Sequence, residues 1–199
     1  MKQLLVSLCL SLLPIIALAQ KPVDLVETGQ DHFEADFPSG GHLRLHIRSG
    51  EIRIVGSDDN KVRVHYGGTN ADRFRDVRVS FHATGNDGEL RVRGGRRNDF
   101  EVEIAVPKTC DLTARIPGGE VTVKGITGDK DAELTAGELV IDVGRAEDYS
   151  SIDASVYTGD LNAEAFGVDK GGFFRSLHQH GPGKYRLHAH VGTGELQLR

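Results

Sequence analysis

A short phrase occurs six times in this chain: glycine, an acidic residue, and then an apolar, any and an apolar residue. Its copies begin at Gly50, Gly88, Gly119, Gly137, Gly159 and Gly194. The intervals between them are 38, 31, 18, 22 and 35 residues, so the shorter ones lie near 20 and the longer ones approach twice that. A period near 20 with short strands is typical of a β-solenoid, whose stacked coils share one narrow core. Each phrase then marks a corner, where glycine permits a positive φ, and the strand that leaves it.

Alternation of apolar and polar residues with period two runs through nearly all of the chain after residue 40, and it predicts half-buried strands. Residues 41–106 hold longer alternating segments, with hairpin-like turn sequences at 58–60 and 85–88. We therefore expect an all-β protein with an antiparallel sheet portion over 41–106 and a right-handed β-solenoid over 107–199. A β-sandwich throughout is the alternative. The least regular segment, 163–176, leaves room for a short helical turn.

The first residues resemble a removable export signal. Lys2 precedes an almost wholly apolar run from Leu4 to Leu18, and Ala17 to Ala19 form a small-x-small cleavage site. We expect a signal peptide over 1–19, a lead segment over 20–40 and one β domain over 41–199. No later stretch approaches the ~20 apolar residues of a membrane helix. The expected location is the periplasm, the extracellular space or the cell surface.

Cysteine usage leaves the exported chain without an internal disulfide. Cys9 lies in the predicted signal peptide, so only Cys110 remains. A nucleophilic thiol needs a nearby base, and its neighbours Thr109 and Asp111 supply none. We expect a packed free thiol.

The serial order of these features resembles the bacterial putative-adhesin family, a domain of unknown function in exported proteins. The resemblance rests on a sheet-forming start, the segment from Phe100 through Val106, Pro107 and Lys108, a strand from Asp111, and then repeated corners. It covers most of residues 40–199. The resemblance implies an all-β, solenoid-like fold and a cell-envelope or extracellular location, and it supplies no catalytic residue or cofactor. Residues 168–183 depart from it by interrupting the regular corners.

Two histidine pairs form a candidate metal site. His178 and His180 precede the turn sequence Gly181–Gly183, and His188 and His190 follow it. Residues two apart on a strand point the same way, so a hairpin here would bring up to four imidazoles together, a set suited to zinc or copper. The alternative is that these histidines are ordinary outward residues of their strands, and our prediction assigns no metal ligand.

Acids after the corner glycines suggest a second feature. In a stack of coils, Glu120, Glu138 and Asp160 would form a ladder at the ~4.8 Å spacing of neighbouring strands. Calcium needs more oxygens than such a ladder offers. We expect a solvated acidic edge.

Charge is divided unevenly along the chain. Residues 41–97 contain 12 basic and 7 acidic residues, whereas residues 98–170 contain 6 basic and 16 acidic ones. A basic sheet face would recruit polyanions such as envelope polysaccharide or anionic lipid. Its arginines would be Arg44, Arg48, Arg53, Arg63, Arg78, Arg91 and Arg93. No aromatic residues are interleaved for base stacking, and we do not expect nucleic acid as a partner.

No catalytic triad, phosphate loop or dinucleotide fingerprint is present in the sequence. The predicted function is therefore an exported, non-catalytic scaffold or adhesion element of the cell envelope, with no cofactor and no catalytic residue. Its partner would be an envelope polysaccharide, an anionic lipid or another envelope protein. The alternative function is a binding protein, for a polyanion through the basic face or for a metal through the histidine pairs.

Overall fold

The computed structural model describes residues 22–29, 32–67, 75–94 and 100–199. The predicted signal peptide, 1–19, lies outside these ranges, as do residues 20–21 and 30–31 of the lead segment. The described residues form fourteen strands and two short 3₁₀ helices, Ala146–Asp148 and Glu164–Phe166, with no α-helix among them. The predicted all-β class is confirmed, and the second 3₁₀ helix is the short turn expected within 163–176.

The strands follow one another along the chain with short connections. They are β1 (Val23–Thr28), β2 (His32–Asp36), β3 (His42–Ile47), β4 (Gly50–Ser57), β5 (Lys61–Gly67), β6 (Arg78–Thr84), β7 (Asp87–Arg93), β8 (Glu101–Pro107), β9 (Asp111–Ile116), β10 (Gly119–Lys124), β11 (Lys130–Ile141), β12 (Tyr149–Ala163), β13 (Val168–His180) and β14 (Tyr185–Leu198).

Two sheets, joined at a corner, organise these strands into coils. One coil is a first arm, a corner and a second arm: β3 then β4, or β9 then β10. The long strands β11, β12, β13 and β14 each supply both arms, so the two sheets are continuous. We call the sheet of β1, β6, β7, β3, β9 and the adjoining long arms the first sheet. The second sheet contains β2, β5, β8, β4, β10 and the remaining arms.

Nine coils lie side by side, but not in chain order. From one end of the stack to the other they are β1/β2, β6/β5, β7/β8, β3/β4, β9/β10, β11, β14, β12 and β13. The six coils from β7/β8 to β12 are mutually parallel. The coils at the two ends are antiparallel to their neighbours. A simple solenoid adds each coil next to the preceding one, whereas here β14 lies between β11 and β12.

The strand pairing differs from expectation in three places. The turn at 85–88 is a hairpin, with β6 antiparallel to β7, but the hairpin predicted at 58–60 is wrong because β8 lies between β4 and β5. Within 41–106, β3, β4, β7 and β8 pair in parallel and only β5 and β6 are antiparallel to their neighbours. The lead segment is part of the fold, since β1 and β2 form the first coil.

Five of the six repeated glycines stack directly on one another at the corner. The column runs Gly50, Gly119, Gly137, Gly194, Gly159 across neighbouring coils. A Cβ on Gly137 would lie 2.0 Å from the Gly119 carbonyl oxygen, so no other residue fits without moving the backbone. Gly88 is the exception: it lies early in β7 opposite Leu43, where a Cβ would meet the Phe37 ring at 2.6 Å. Two different steric needs thus produced the same phrase.

The inward residues of both sheets meet in one hydrophobic core. Phe33 of the second sheet and Phe81 of the first lie with ring centroids 6.1 Å apart, which shows that the sheets pack face to face. Cys110 is buried in this core as a free thiol, as expected. Because the inward residues are buried in the core, the outward residues of each strand form the surface of the molecule.

Candidate functional site: a histidine-rich face

The outward side of the first sheet gathers seven of the nine histidines of the chain. We call this surface the histidine face and define it as the outward residues of strands β6, β7, β3, β9, β11, β14, β12 and β13 in that sheet. Its histidines are His42, His46, His82, His178, His180, His188 and His190; its acids are Asp87, Glu89, Asp111, Asp131, Glu133 and Asp153; its arginines are Arg44, Arg78, Arg91, Arg93, Arg115 and Arg186. Six acids match six arginines, so with uncharged imidazoles the face is formally neutral.

Strand register sets the imidazoles beside carboxylates. Across the three neighbouring strands β11, β14 and β12, Asp131, His188 and Asp153 lie opposite one another, and His178 of β13 follows. The His188 Nδ1 lies 2.8 Å from the Asp131 Oδ1, and the His178 Nδ1 lies 3.3 Å from the Asp153 Oδ1. On the other half of the face, the His46 Nε2 lies 3.3 Å from the Glu89 Oε1. Each of these three rings therefore lies beside a carboxylate.

A groove on this face lies between its two halves, with His42 from one half and His188 from the other. It is lined by His42, Thr113, Asp131, Asp153 and His188, among others. The His42 Nε2 lies 3.0 Å from the Thr113 hydroxyl. The groove is partly open to solvent.

The hairpin proposed for the metal site does not form. β13 and β14 both pair with β12, which lies between them. Asp153 therefore separates His178 from His188 in the register, and the two histidine pairs are about 9.6 Å apart at the strand spacing. The expectation that the Gly181–Gly183 turn brings four imidazoles together was wrong, because the turn crosses over a strand that precedes it in the chain.

Among the described residues of the face, one other group of side chains has the geometry of metal ligands. The positively charged side chain of Arg115 already lies against it. Ligand atoms of Asp131, Glu133 and His188 lie within 4.8 Å of one another. The Arg115 guanidinium donates to both Asp131 oxygens at 3.0 and 2.6 Å and lies 3.3 Å from Glu133. Partial burial alone would raise the pKa of Asp131, but the hydrogen bonds from Arg115 and His188 outweigh it and lower the pKa. A divalent ion would have to displace or approach this guanidinium.

The acidic ladder at the corner is longer than expected. Its members, across six neighbouring coils, are Glu101, Glu51, Glu120, Glu138, Glu195 and Asp160. Glu195 lies between Glu138 and Asp160 because β14 lies between β11 and β12. The Gln197 amide donates to Glu138 at 2.9 Å and to Glu195 at 2.6 Å, which relieves part of the repulsion.

The arginines expected to form one basic face lie on two sheets. Arg44, Arg78, Arg91 and Arg93 belong to the histidine face, whereas Arg53 and Arg63 lie on the second sheet. Arg63 binds Glu34 and Asp59, Arg53 binds Glu51, and Arg91 binds Glu89. These ion pairs cancel much of the positive charge that the sequence suggested.

A lysine lies in the core beneath the groove, and the sequence analysis did not single it out. Lys130 is 2% exposed and occupies the inward position of Leu112 and Leu187 in the neighbouring strands. Its Nζ donates to the Tyr149 hydroxyl at 2.6 Å, and that hydroxyl donates to the Val143 carbonyl at 3.1 Å. Burial lowers the pKa of Lys130 to about 8, although Asp142 and Asp129 oppose the shift. The sequence pattern that could have predicted its burial is the period of two in β11, since Lys130, Ala132 and Leu134 face the same side of that strand.

Cys110 is unsuited to covalent chemistry. Burial raises the pKa of its thiol to about 12, so the thiol stays protonated at physiological pH. Catalysis by this residue is not expected.

Comparison with known proteins reveals the fold. No model of a known protein family matches the chain, and no curated protein matches its sequence. A putative cell adhesion protein from Clostridium sporogenes is similar in structure, with a TM-score of 0.52 over 89% of this chain and 99% of that one, at 13% identity. A putative adhesin from Bacteroides fragilis gives a TM-score of 0.38 over 91% and 98% of the two chains, at 10% identity. The first likeness shows that a similar fold occurs in a protein from Clostridium sporogenes.

In the part of the chain that the structure describes, no helix is long and apolar enough to span a bilayer.

Proposed function

We propose that the protein is a non-catalytic adhesion module of the bacterial cell envelope, exported by its N-terminal segment and related to the putative-adhesin family. The observation that carries the proposal is the gathering of seven of nine histidines on one broad face, among matched acids and arginines. The structural neighbour described as a putative cell adhesion protein supports the adhesion role. The repeated corner phrase and the strand over 100–107 support the family assignment.

The ligand of the histidine face is a polyanion, in this proposal an envelope polysaccharide bearing carboxylate or phosphate groups. Imidazoles ordinarily titrate near pH 6.5. Acidification would take the formal charge of the face from zero toward +7, because its six acids and six arginines already balance. Protonated histidines next to Asp87, Glu89, Asp131 and Asp153 are partly neutralised by these carboxylates, so the effective gain is smaller. Binding should still strengthen as pH falls, and salt should weaken it.

The test is co-sedimentation with an anionic polysaccharide gel, such as cross-linked polygalacturonate, at pH 5.5 and 7.5, in low and high salt. We expect at least about tenfold tighter binding at pH 5.5 in low salt, lost in high salt. The triple variant His46→Gln/His188→Gln/His190→Gln removes three of the seven histidines of the face and should lose a corresponding part of this gain. His32→Gln/His65→Gln removes the two histidines of the second sheet and should keep it.

Binding that is absent at both pH values, or that the triple variant retains, would contradict the role of the histidine face. A parallel arm with phosphatidylglycerol vesicles separates the polysaccharide from a lipid surface. Binding to the vesicles alone would assign the face to anionic lipid.

A further inference from the structure

The large apolar side chains that remain exposed among the described residues all lie at the two ends of the stack. Val23, Leu25 and Val26 are on β1, in the first coil; Tyr157, Phe173 and Phe174 are at the corner of the last two coils. The outer faces of the six coils between them expose none of comparable size in the described part of the chain. Exposed apolar residues confined to sheet edges mark sites of strand addition.

The end formed by β13, which we call the tail, is an aromatic edge. Phe173 and Phe174 are 67% and 70% exposed, and Tyr157 is 55% exposed. Phe174 has a φ of 54°, a left-handed conformation that costs a bulky residue about 1–2 kcal/mol. Its ring meets Tyr157 edge-on with centroids 4.6 Å apart. The chain accepts backbone strain to hold aromatic rings outward beside a strand that pairs on one side only, with β12.

The opposite end, the head, has complementary charge. Its coil, β1 and β2, carries Asp24, Glu27, Glu34 and Asp36 and contains no lysine or arginine. β13 carries Arg175, His178 and His180 against Asp169. Glu34 is already bound by Lys61 and Arg63, which leaves three acids to favour a basic partner.

We propose that copies of this chain associate head to tail, with the β1/β2 coil of one copy adding to the β13 coil of the next. β1 and β2 run in the direction of the interior coils, and β13 runs opposite to β12. The junction would therefore be antiparallel in both sheets, like the pairs β1 with β6 and β12 with β13 at the two ends. β13 has an arm in each sheet, and β1 and β2 are the opposite edge strands of those sheets, so each arm of one copy meets an edge strand of the next.

Charge favours this arrangement over a symmetric one. Two heads would bring acidic coils together, whereas a head beside a tail would bring those acids to Arg175, His178 and His180. A head-to-tail contact is heterologous and repeats, so copies extend the stack into a filament. The contact shares β13 with the edge of the histidine face, but it needs no polyanion, so it holds whether or not that face binds one.

The experiment uses two variants of the full chain, each with one end disabled. Phe173→Asp/Phe174→Asp disables the tail, where aspartate also tolerates the left-handed backbone. Asp24→Lys/Val26→Lys disables the head. The matched control is Thr135→Asp/Ala136→Asp, which adds the same charge at the corner of the middle coil β11, in the column that Phe173 occupies. Circular dichroism checks that every variant keeps its β-sheet spectrum.

Sedimentation velocity at rising concentration should show the parent and the control forming species larger than dimers. Each end variant alone should be monomeric, with association at least about tenfold weaker, because a junction would bury an unpaired charge. An equimolar mixture of the two end variants should form a dimer and stop there, because only one intact head and one intact tail remain.

A monomeric parent at high micromolar concentration would overturn the proposal. So would a head variant that dimerises alone, since that requires tail-to-tail contact, or a tail variant that dimerises alone. A mixture that stays monomeric while the parent associates would also contradict it.

Discussion

The glycine column at the corner is a steric requirement imposed by neighbouring coils. At Gly119, Gly137, Gly159 and Gly194, φ lies between 121° and 136°, and a Cβ would come within 2.0 Å of a backbone oxygen on the next coil. Both the torsion and the contact therefore exclude a side chain. This explains the repeated phrase at the level of single atoms.

Gly137→Ala should lower the free energy of unfolding by at least about 2 kcal/mol, because it combines a disfavoured torsion with a clash against Gly119. Gly144→Ala is the control: its φ is 67°, but a Cβ there would meet nothing within 4 Å. It should cost about 1 kcal/mol, the torsional part alone. Urea unfolding of both variants measures the difference, and equal losses would show that the stacked corner imposes no special constraint.

Lys130 should be a net cost to stability. Its folded pKa, about 8, lies below its ordinary value of 10.5, so the charged form is destabilised in the core. The unfolded chain then binds more protons between these values, and stability rises with pH from about 8 toward 10.5. Lys130→Met should raise the free energy of unfolding at pH 7 by on the order of 1–3 kcal/mol and leave the Tyr149 bond to Val143 intact.

The gain should be smaller at pH 9 by about 1 kcal/mol, because part of the penalty has disappeared from the parent by then. Comparing the variant with the parent at each pH cancels the contributions of Cys110 and Tyr149, whose pKa values burial raises. Lys124→Met, at an exposed end of β10, is the control and should show no such pH dependence. Loss of stability in Lys130→Met at pH 7 would mean that its hydrogen bond to Tyr149 outweighs the desolvation.

At the scale of strands, the acidic ladder places six like charges in register along one line of the second sheet. Like charges directly opposite each other on neighbouring strands are destabilising. Glu120 lies between Glu51 and Glu138, whose side chains are bound by Arg53 and Gln197 respectively. Removing its charge should therefore relieve repulsion from both sides.

Glu120→Gln should raise the free energy of unfolding by about 0.5 kcal/mol at low salt, and by less at high salt. Glu164→Gln, on the second 3₁₀ helix and away from the ladder, should change little. Thermal unfolding at two ionic strengths measures both. A destabilised Glu120→Gln would indicate that the ladder is held by bound cations.

Strand positions could be predicted from the sequence far better than strand partners. Period two identified the inward residues of β3, β7 and β8, because burial on one side of a strand leaves its mark on every second residue. The identity of the neighbouring strand has no such pattern in the sequence. The alternation of apolar residues in β11 is the same whether Glu133 lies beside Ser155 of β12 or beside His190 of β14. The histidine face depends on strand partners, so its residues could be predicted from the sequence but their arrangement could not.

At the scale of the whole molecule, the inserted position of β14 decides how the faces are composed. It places His188 and His190 between β11 and β12, with His188 in register between Asp131 and Asp153. It also leaves β13 as the exposed tail of the stack. A chain with the same strands stacked in sequence would have β14 at its end and would separate these groups.

Engineered disulfides test this coil order most directly. Neighbouring strands place paired Cα atoms about 4.8 Å apart, within the 4.4–6.8 Å range of disulfides, whereas strands two apart are about 9.6 Å apart. Glu133 pairs with His190, and His190 pairs with Ser155. Under mild oxidation, Glu133→Cys/His190→Cys should form a cross-link in nearly every molecule, and Glu133→Cys/Ser155→Cys should form almost none, as read by mass spectrometry of non-reduced peptides. Efficient cross-linking of the second pair and not the first would show that the coils stack in sequence and would contradict the account.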